Sequence, residues 1–161
     1  MMNKHLLSSN KNEWGTPTDL FTDLDNEYDF TLDPCGYNGR KLKEDMKTND
    51  IRESGIDGLK MSWKDERVFV NPPYGRELKH WVKKCYDERD NAEVIVLLIP
   101  SRTDTSYFHN YIYNCVDKLI FLRGRLKFID LETLKAVGSS TFPSLLAIWD
   151  NRNGVKRNVH D

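Results

Sequence analysis

The stretch Val68-Phe69-Val70-Asn71-Pro72-Pro73-Tyr74-Gly75 is the most informative part of the chain. Its first three residues are β-branched or aromatic and predict a buried strand. Two prolines then end that strand abruptly, because neither has a backbone N–H to donate to a sheet. The residues after the strand therefore predict a rigid loop at its carboxyl end, which is where ligands bind in open α/β sheets.

This loop carries the groups needed to hold an exocyclic amine. The Asn71 side-chain oxygen and the Pro72 carbonyl can accept the two N–H groups of an amine such as adenine N6. Tyr74 offers an aromatic ring on which the base bearing that amine stacks. A base inside a duplex keeps its amino group paired, so it must leave the helix before the loop reaches it. The alternative is a proline-rich turn that only ends a strand.

Length and composition predict one soluble domain. The chain has 161 residues, of which 39% are hydrophobic and 30% charged, and this suits a single core. No apolar run approaches the length of a membrane span, and the start lacks the apolar stretch of a signal peptide. We therefore expect a cytoplasmic protein with a disordered segment at 1–12, one domain at 13–150 and a frayed polar tail at 151–161.

Cysteine and histidine spacing gives no sign of a metal site or a disulfide framework. The three cysteines and four histidines are scattered, without a Cys-x-x-Cys or a His-Glu-x-x-His pattern. We therefore expect reduced cysteines and no bound metal.

Apolar periodicity predicts an α/β fold. Helical spacing of apolar residues occurs at 20–28, 78–86 and 107–112, and apolar runs typical of strands occur at 30–32, 68–70, 93–100, 118–122 and 145–149. The unbroken run at 94–99 is typical of a strand buried on both faces, as in parallel sheets. The last strand can pair antiparallel with the one before it. The sequence thus predicts a mostly parallel sheet with a C-terminal antiparallel strand, and a loop or lid at 131–141.

The first half of the chain holds one helix-start motif and two candidates for a nucleotide site, each of which has a structural alternative. Thr16-Pro17 is a good helix start, with Thr16 as the N-cap. The predicted strand at 30–32 runs into Asp33-Pro34-Cys35-Gly36, an acidic, glycine-containing loop of the kind that binds nucleotides at a strand end, or a simple turn. Asp57 suits the end of a strand beside the catalytic one, where it accepts from an adenine amino group, or else it starts an Asp-Gly turn. Glu44, Asp45 and Asp50 remain equal candidates for a ribose hydroxyl.

Charge is unevenly distributed along the chain. Acidic residues outnumber basic ones at 13–66, whereas basic residues outnumber acidic ones at 67–161. A nucleic-acid surface should therefore come from the second half. Arg123, Arg125 and Lys127 alternate with apolar residues, which predicts one basic face that either binds phosphates or is simply solvated. Arg102 either binds a DNA phosphate or pairs with an acid such as Asp104.

Taken in order, seven motifs resemble the phage-type DNA N-6-adenine methyltransferase (Dam) family over residues 13–149. The motifs are Trp14-x-Thr-Pro, Leu32-Asp-Pro, Asp57-Gly-Leu, Asn71-Pro-Pro-Tyr, Pro100-x-Arg-Thr-Asp, Gly124-Arg-Leu-Lys-Phe and Phe142-Pro-Ser. The resemblance implies a Rossmann-like S-adenosylmethionine-dependent methyltransferase fold and methyl transfer to adenine N6 of DNA, in the cytoplasm of a host bacterium if a phage encodes the chain.

The resemblance also implies roles for individual residues. Asn71, Pro72, Pro73 and Tyr74 match the catalytic loop. Thr16, Pro17, Asp33, Pro34, Gly36 and Asp57 match the positions expected to contact S-adenosylmethionine. Arg102, Arg123, Arg125 and Lys127 are the DNA-binding candidates.

Two departures from the family pattern limit these expectations. The first cofactor loop is poor in glycine, and no insertion is large enough for a separate target-recognition domain. We therefore expect relaxed or short-site specificity. Methylation of RNA or of a protein glutamine, and a DNA-binding remnant without activity, remain the alternatives, and the oligomeric state, monomer or dimer, is open.

Overall fold

A computed structural model describes residues 12–37 and 40–154. Most of the predicted disordered segment and the tail after Gly154 lie outside the described residues, but Asn12 is described. None of the helices in the described ranges is long and apolar enough to span a membrane.

The described chain forms one six-stranded mixed sheet on which helices pack, and this confirms the predicted α/β class. The strands are β1 (Leu32–Asp33), β2 (Lys47–Thr48), β3 (Arg67–Val70), β4 (Val94–Pro100), β5 (Lys118–Phe121) and β6 (Ser144–Asp150). Their spatial order is β2-β1-β3-β4-β6-β5. The pairs from β2 to β4 are parallel, and β6 is antiparallel to both β4 and β5. The predicted C-terminal antiparallel strand is therefore confirmed.

The strand β4 is the centre of the core. All seven of its residues are buried, and Leu97 is paired with Val70 of β3 on one side and Ala147 of β6 on the other. A strand with neighbours on both edges and cover on both faces exposes no side chain to water. This is the reason for its unbroken apolar run.

The helices pack on the sheet through the predicted apolar positions. They are α1 (Thr18–Tyr28), α2 (Ile51–Ser54), α3 (Leu78–Glu88) and a π-helical segment (Phe108–Ile112). Phe21 of α1 lies edge-on against Phe69 of β3, with ring centroids 5.4 Å apart. The third predicted helix therefore exists, but its described hydrogen bonding is π-helical rather than α-helical.

One local prediction is wrong, and one of two alternatives is excluded. Pro17, not Thr16, is the N-cap of α1, and no side chain caps this helix. No strand lies between Thr48 and Arg67 in the described chain, so Asp57 does not end one. Its carboxylate instead accepts a hydrogen bond from the Leu59 backbone N–H at 2.9 Å, which is the geometry of an Asp-Gly turn.

The segment 126–140 is an irregular hairpin rather than a free lid. Val137 N–H donates to the Phe128 carbonyl and Ser140 N–H donates to the Leu126 carbonyl, both at 2.9 Å. Ile129 pairs with Gly15 in both directions, at 2.8 and 2.9 Å. The predicted loop at 131–141 is thus tied to the N-terminal segment that precedes α1.

The predicted basic face is shorter than expected. The strand β5 ends at Phe121, and Gly124 has a φ of 77° at a bend in the chain. A left-handed φ is readily adopted by glycine, and it interrupts the extended conformation. Arg125 and Lys127 keep the alternation with Leu126 and the buried Phe128, whereas the bend at Gly124 separates Arg123 from this extended segment.

Candidate active site

The loops that follow β1 and β3 open a crevice at the carboxyl edge of the sheet. From β1 the chain continues to β2 on one side, whereas β3 is followed by β4 on the other. Loops that diverge at such a switch point leave a crevice in which open α/β sheets bind ligands. Asp33 ends β1 and Asn71 follows β3. The crevice is bridged at one point, where the Cys35 thiol donates to the Asn71 carbonyl at 3.4 Å.

Two clefts meet at the loop after β3. We call the first the narrow cleft; it has a volume of about 40 Å³ and its lining includes Thr16, Asp33, Arg40 and Asn71. We call the second the wide cleft; it has a volume of about 730 Å³ and its lining includes Tyr74, Arg102, Phe128 and Phe142. Trp14 lines both. The loop after β3 therefore forms part of the wall between them.

The Asn71 side chain is held in one orientation by its own amide group. Its Nδ2 donates to the Trp14 carbonyl at 2.8 Å and to the Thr16 hydroxyl oxygen at 3.0 Å. Both N–H bonds are thus used, and Oδ1 must face the other way. Oδ1 accepts one hydrogen bond, from the Tyr74 hydroxyl at 3.0 Å. Since an amide oxygen has two lone pairs, one acceptor position remains.

The backbone of the same loop offers a second acceptor. No described residue donates a hydrogen bond to the Pro72 carbonyl. The loop itself is anchored from outside, because the Tyr74 backbone N–H donates to the Asn12 carbonyl at 2.6 Å. The acceptor positions of this carbonyl are therefore unused within the described chain.

Tyr74 is the centre of an aromatic cluster. Its ring lies edge-on to Phe128 and to Phe142, with centroid distances of 6.0 and 5.7 Å. Edge-to-face contacts of this kind favour a fixed ring orientation. Burial raises the pKa of the Tyr74 phenol far above its ordinary value, so its hydroxyl stays a neutral donor to Asn71.

Asp33 is the buried acid of the narrow cleft. The residue is 7% exposed, and its carboxylate accepts a hydrogen bond from the Cys35 backbone N–H at 3.1 Å. Burial raises the pKa of Asp33 to about 7, and the Cys35 backbone N–H and the charge of Arg40 lower it only in part. The carboxyl therefore changes its protonation state near neutral pH, and a cationic group in the cleft favours its ionised form.

The loop after β1 is fixed against β2. The Gly36 backbone N–H donates to the Asn49 carbonyl at 2.8 Å, and a Cβ at Gly36 would overlap the Thr48 methyl group. Arg52 donates to the Asp50 carboxylate at 2.9 Å and lies over the Tyr37 ring at 3.9 Å. The glycine is thus required for close approach, and the floor of the narrow cleft is held by backbone bonds.

Arg40 was not among the residues singled out from the sequence. Its guanidinium reaches the narrow cleft over Gly15, where any Cβ would overlap Nη1. Burial lowers the pKa of Arg40 below its ordinary value, and the charge of Asp33 raises it in part. The only sequence signal was its position just after the Asp33 loop, in a charged stretch without periodicity.

The basic candidates border the wide cleft or lie on the surface. Arg102 lines the wide cleft, and it forms no ion pair with Asp104 or with any other described residue. The structure thus does not support the alternative that Arg102 pairs with Asp104. Arg125 and Lys127 are exposed and likewise have no ion-pair partner within the described chain.

The structure brings together some of the predicted site residues and not others. The narrow cleft is lined by Thr16, Asp33, Gly36, Asn71 and Pro73, and the wide cleft by Tyr74 and Arg102. Neither cleft is lined by Pro17, Pro34, Asp57, Pro72, Arg123, Arg125 or Lys127. In the described ranges no group of three possible metal ligands occurs. Phe128 and Phe142 also line the wide cleft but were not predicted as site residues. Their only sequence signal was that each belongs to one of the seven motifs.

Comparison with known proteins matches the chain to a family. The family model for DNA N-6-adenine-methyltransferase (Dam) matches residues 3–159. A protein of Haemophilus phage HP1 (strain HP1c1), described as a DNA N-6-adenine-methyltransferase, is 20% identical over 152 residues, which is 93% of this chain and 85% of the phage protein. The family match covers nearly the whole chain and includes every segment that lines the two clefts. The chain therefore belongs to the DNA N-6-adenine-methyltransferase (Dam) family.

Proposed function

We propose that this protein transfers the methyl group of S-adenosylmethionine to N6 of an adenine that has left the DNA duplex. The observation that carries the proposal is the position of Asn71. Its amide is fixed by Trp14 and Thr16, with a free acceptor position on Oδ1, at the wall between a narrow polar cleft and a wide aromatic one. A methyl donor on one side and an amine on the other would meet at this wall.

The narrow cleft is the part that we assign to the cofactor, which supplies a methyl group on a positively charged sulfur. The strand-end position, the buried Asp33 and the close backbone approach at Gly36 support a nucleotide-type site. Pockets for ligands of this size have volumes of at least roughly 300 Å³, so the side chains at the mouth of a cleft of about 40 Å³ must move apart on binding.

Among the three acids left open for the ribose, Asp50 is the best placed. It is buried two residues after β2, where its carboxylate accepts from Arg52, and its charge contributes to the raised pKa of Asp33. Glu44 and Asp45 are exposed. We therefore assign the ribose contact to Asp50.

Asn71 and Pro72 supply the two acceptors that we assign to the reaction. The attacking lone pair on N6 carries no proton, so no general base is required at first. Positive charge develops on the amine as the methyl group moves, and the Asn71 Oδ1 and the Pro72 carbonyl would stabilise that charge through hydrogen bonds that strengthen in the transition state. Pro73 contributes by keeping the loop rigid.

The wide cleft is the part that we assign to the target base. Its aromatic cluster of Tyr74, Phe128 and Phe142 provides apolar surface for a flipped base. Arg102 at this cleft and the exposed pair Arg125 and Lys127 are free to contact phosphates, which position DNA without reading its sequence.

The fold supports this assignment in a further way. A parallel sheet with one antiparallel strand inserted next to its edge fits the Rossmann-like methyltransferase fold that the family resemblance implies.

The hairpin at 126–140 borders the wide cleft and is the element that we assign to reading a short sequence, so we expect low or short-site specificity. Strict dependence on a long recognition sequence would contradict this.

The test is direct identification of the methylated product. Purified protein is incubated with labelled S-adenosylmethionine and unmethylated plasmid DNA, the DNA is digested to nucleosides, and the labelled nucleoside is identified by mass. We expect label in N6-methyladenine. If the protein binds the cofactor but does not label DNA, the substrate is to be sought among RNA and protein glutamines. If it does not bind the cofactor, the result favours a DNA-binding protein without activity.

A further inference from the structure

The Arg40 guanidinium is a cation without a partner inside a cleft. It is half-buried, and among the described residues it forms neither a hydrogen bond nor an ion pair. A guanidinium has five N–H donors and cannot release its charge at physiological pH. Withdrawing such a group from water without acceptors costs free energy. The cleft is therefore better suited to a state in which an anion lies beside Arg40.

A second charged group in the same cleft has the opposite sign. Asp33 lines the narrow cleft with Arg40, and the two interact electrostatically, yet they lie too far apart to form a salt bridge. One buried carboxylate and one separate guanidinium are complementary to a group that carries an ammonium and a carboxylate on neighbouring atoms. An α-amino acid is such a group.

We propose that Arg40 binds the α-carboxylate of the methionine part of the cofactor, with Asp33 facing its α-ammonium group. This inference rests on the proposed function, because it names the orientation of the cofactor in the narrow cleft. The fork of N–H groups on arginine matches a carboxylate with two parallel hydrogen bonds. Gly15 leaves the space in which the guanidinium lies, because a side chain there would overlap it.

The test compares two ligands that differ only in the carboxylate. S-adenosylmethionine and decarboxylated S-adenosylmethionine are titrated into the full-length protein without DNA, and heats of binding give the dissociation constants. Arg40→Gln removes the charge, Arg40→Lys keeps the charge without the fork, and Lys41→Gln is a matched control at the exposed neighbouring cation. Thermal unfolding of each variant verifies that it is folded.

We expect the native protein to bind the carboxylate-bearing ligand about tenfold to a hundredfold more tightly, the range for a charge-assisted pair. Arg40→Gln should weaken binding of S-adenosylmethionine by a similar factor and should change the dissociation constant of the decarboxylated ligand by no more than about threefold. The preference for the carboxylate-bearing ligand should therefore disappear. Arg40→Lys should retain part of it, and Lys41→Gln should retain all of it.

Other results would overturn the inference in distinguishable ways. An equal change for both ligands in Arg40→Gln would mean that Arg40 only shapes or covers the cleft, and the proposed function would stand. Tighter binding of both ligands would identify Arg40 as an obstruction. Failure of the native protein to bind either ligand would overturn the cofactor assignment itself, and the inference with it.

Discussion

The narrow cleft lies between loops that follow two strands of the sheet, whereas the wide cleft is lined largely by segments outside the sheet. The loops after β1 and β3 hold the first through hydrogen bonds such as Gly36 to Asn49. The second depends on Phe128 within the hairpin at 126–140 and on Phe142 just after it. Under the proposed function, the narrower of these clefts holds a small ligand and the wider one holds part of a polymer, which needs more space.

The two clefts also differ in charge. The narrow cleft combines Asp33 and Arg40, whose charges act on each other across it. The wide cleft is lined by aromatic rings, and Arg102 at its edge has no ion-pair partner in the described chain. Unpaired cations remain available to phosphates, so the contrast is that expected between a zwitterionic ligand and a polyanion.

The largest effect should come from Asn71, which lines the narrow cleft and is hydrogen-bonded to Tyr74 of the wide cleft. Asn71→Ala removes the Oδ1 acceptor, and we expect the methylation rate to fall by about a hundredfold or more, with cofactor binding largely retained. Thr16→Val is a matched control, because it removes only the acceptor for Asn71 Nδ2 and should cost less. Single-turnover rates and cofactor titrations measure both quantities. An active Asn71→Ala enzyme would contradict the assignment of Asn71 as an acceptor for the amine.

A smaller effect should separate the ring of Tyr74 from its hydroxyl. Tyr74→Ala removes the stacking surface, worth about 1–3 kcal/mol per base, and the contacts with Phe128 and Phe142. Tyr74→Phe keeps the ring and loses one hydrogen bond, worth about 1 kcal/mol. We therefore expect a severe loss of kcat/KM in the first variant and a mild one in the second. Similar losses in the two, with both variants folded, would assign the role to the hydroxyl bond with Asn71.

The next prediction concerns only the narrow cleft, through the pH dependence of stability. The pKa of Asp33 is about 7 in the folded protein and 3.8 ordinarily, so between these values the folded state holds a proton that the unfolded state releases. Its contribution to stability therefore falls as the pH rises from 3.8 to about 7, by at most about 1.4 kcal/mol per unit. Asp33→Asn lacks this dependence.

Denaturant unfolding of both proteins at a series of pH values measures this effect. The free energy of unfolding of Asp33→Asn relative to the native protein should increase up to about pH 7 and then remain constant. Parallel pH profiles for the two proteins would show that the Asp33 carboxyl does not carry a raised pKa.

The smallest effects should come from the cations outside both clefts. Arg125→Gln and Lys127→Gln should each weaken DNA binding several-fold regardless of sequence, and should each lower the slope of log affinity against log salt by about one. Lys83→Gln is the control, because Lys83 pairs with Asp87 on α3. Arg123→Gln serves as a further comparison, because the bend at Gly124 separates Arg123 from Arg125 and Lys127. An unchanged salt slope in both Arg125→Gln and Lys127→Gln would place the DNA elsewhere.

The parts of the fold with a local signal could be predicted from the sequence. The unbroken apolar run of β4 and the periodicity of α3 depend only on neighbouring residues, and both elements formed as expected. The prolines after Val70 likewise ended β3 as expected. Asp57 and Thr16 show the limit of such signals. Each fitted a strand end or a helix cap locally, but a turn bond to Leu59 and a tertiary bond from Asn71 decided their positions.

By itself, the sequence determined the family, the loop Asn71-Pro72-Pro73-Tyr74 and the α/β class, because motif order, proline chemistry and apolar periodicity are written along the chain. Only the tertiary structure decided that Thr16 and Trp14 orient Asn71, that Arg40 shares a cleft with Asp33, and that Phe128 and Phe142 enclose Tyr74. The reason is that the pairing of β1 with β3, and of Gly15 with Ile129, brings together residues that are distant in sequence. No local pattern records such contacts.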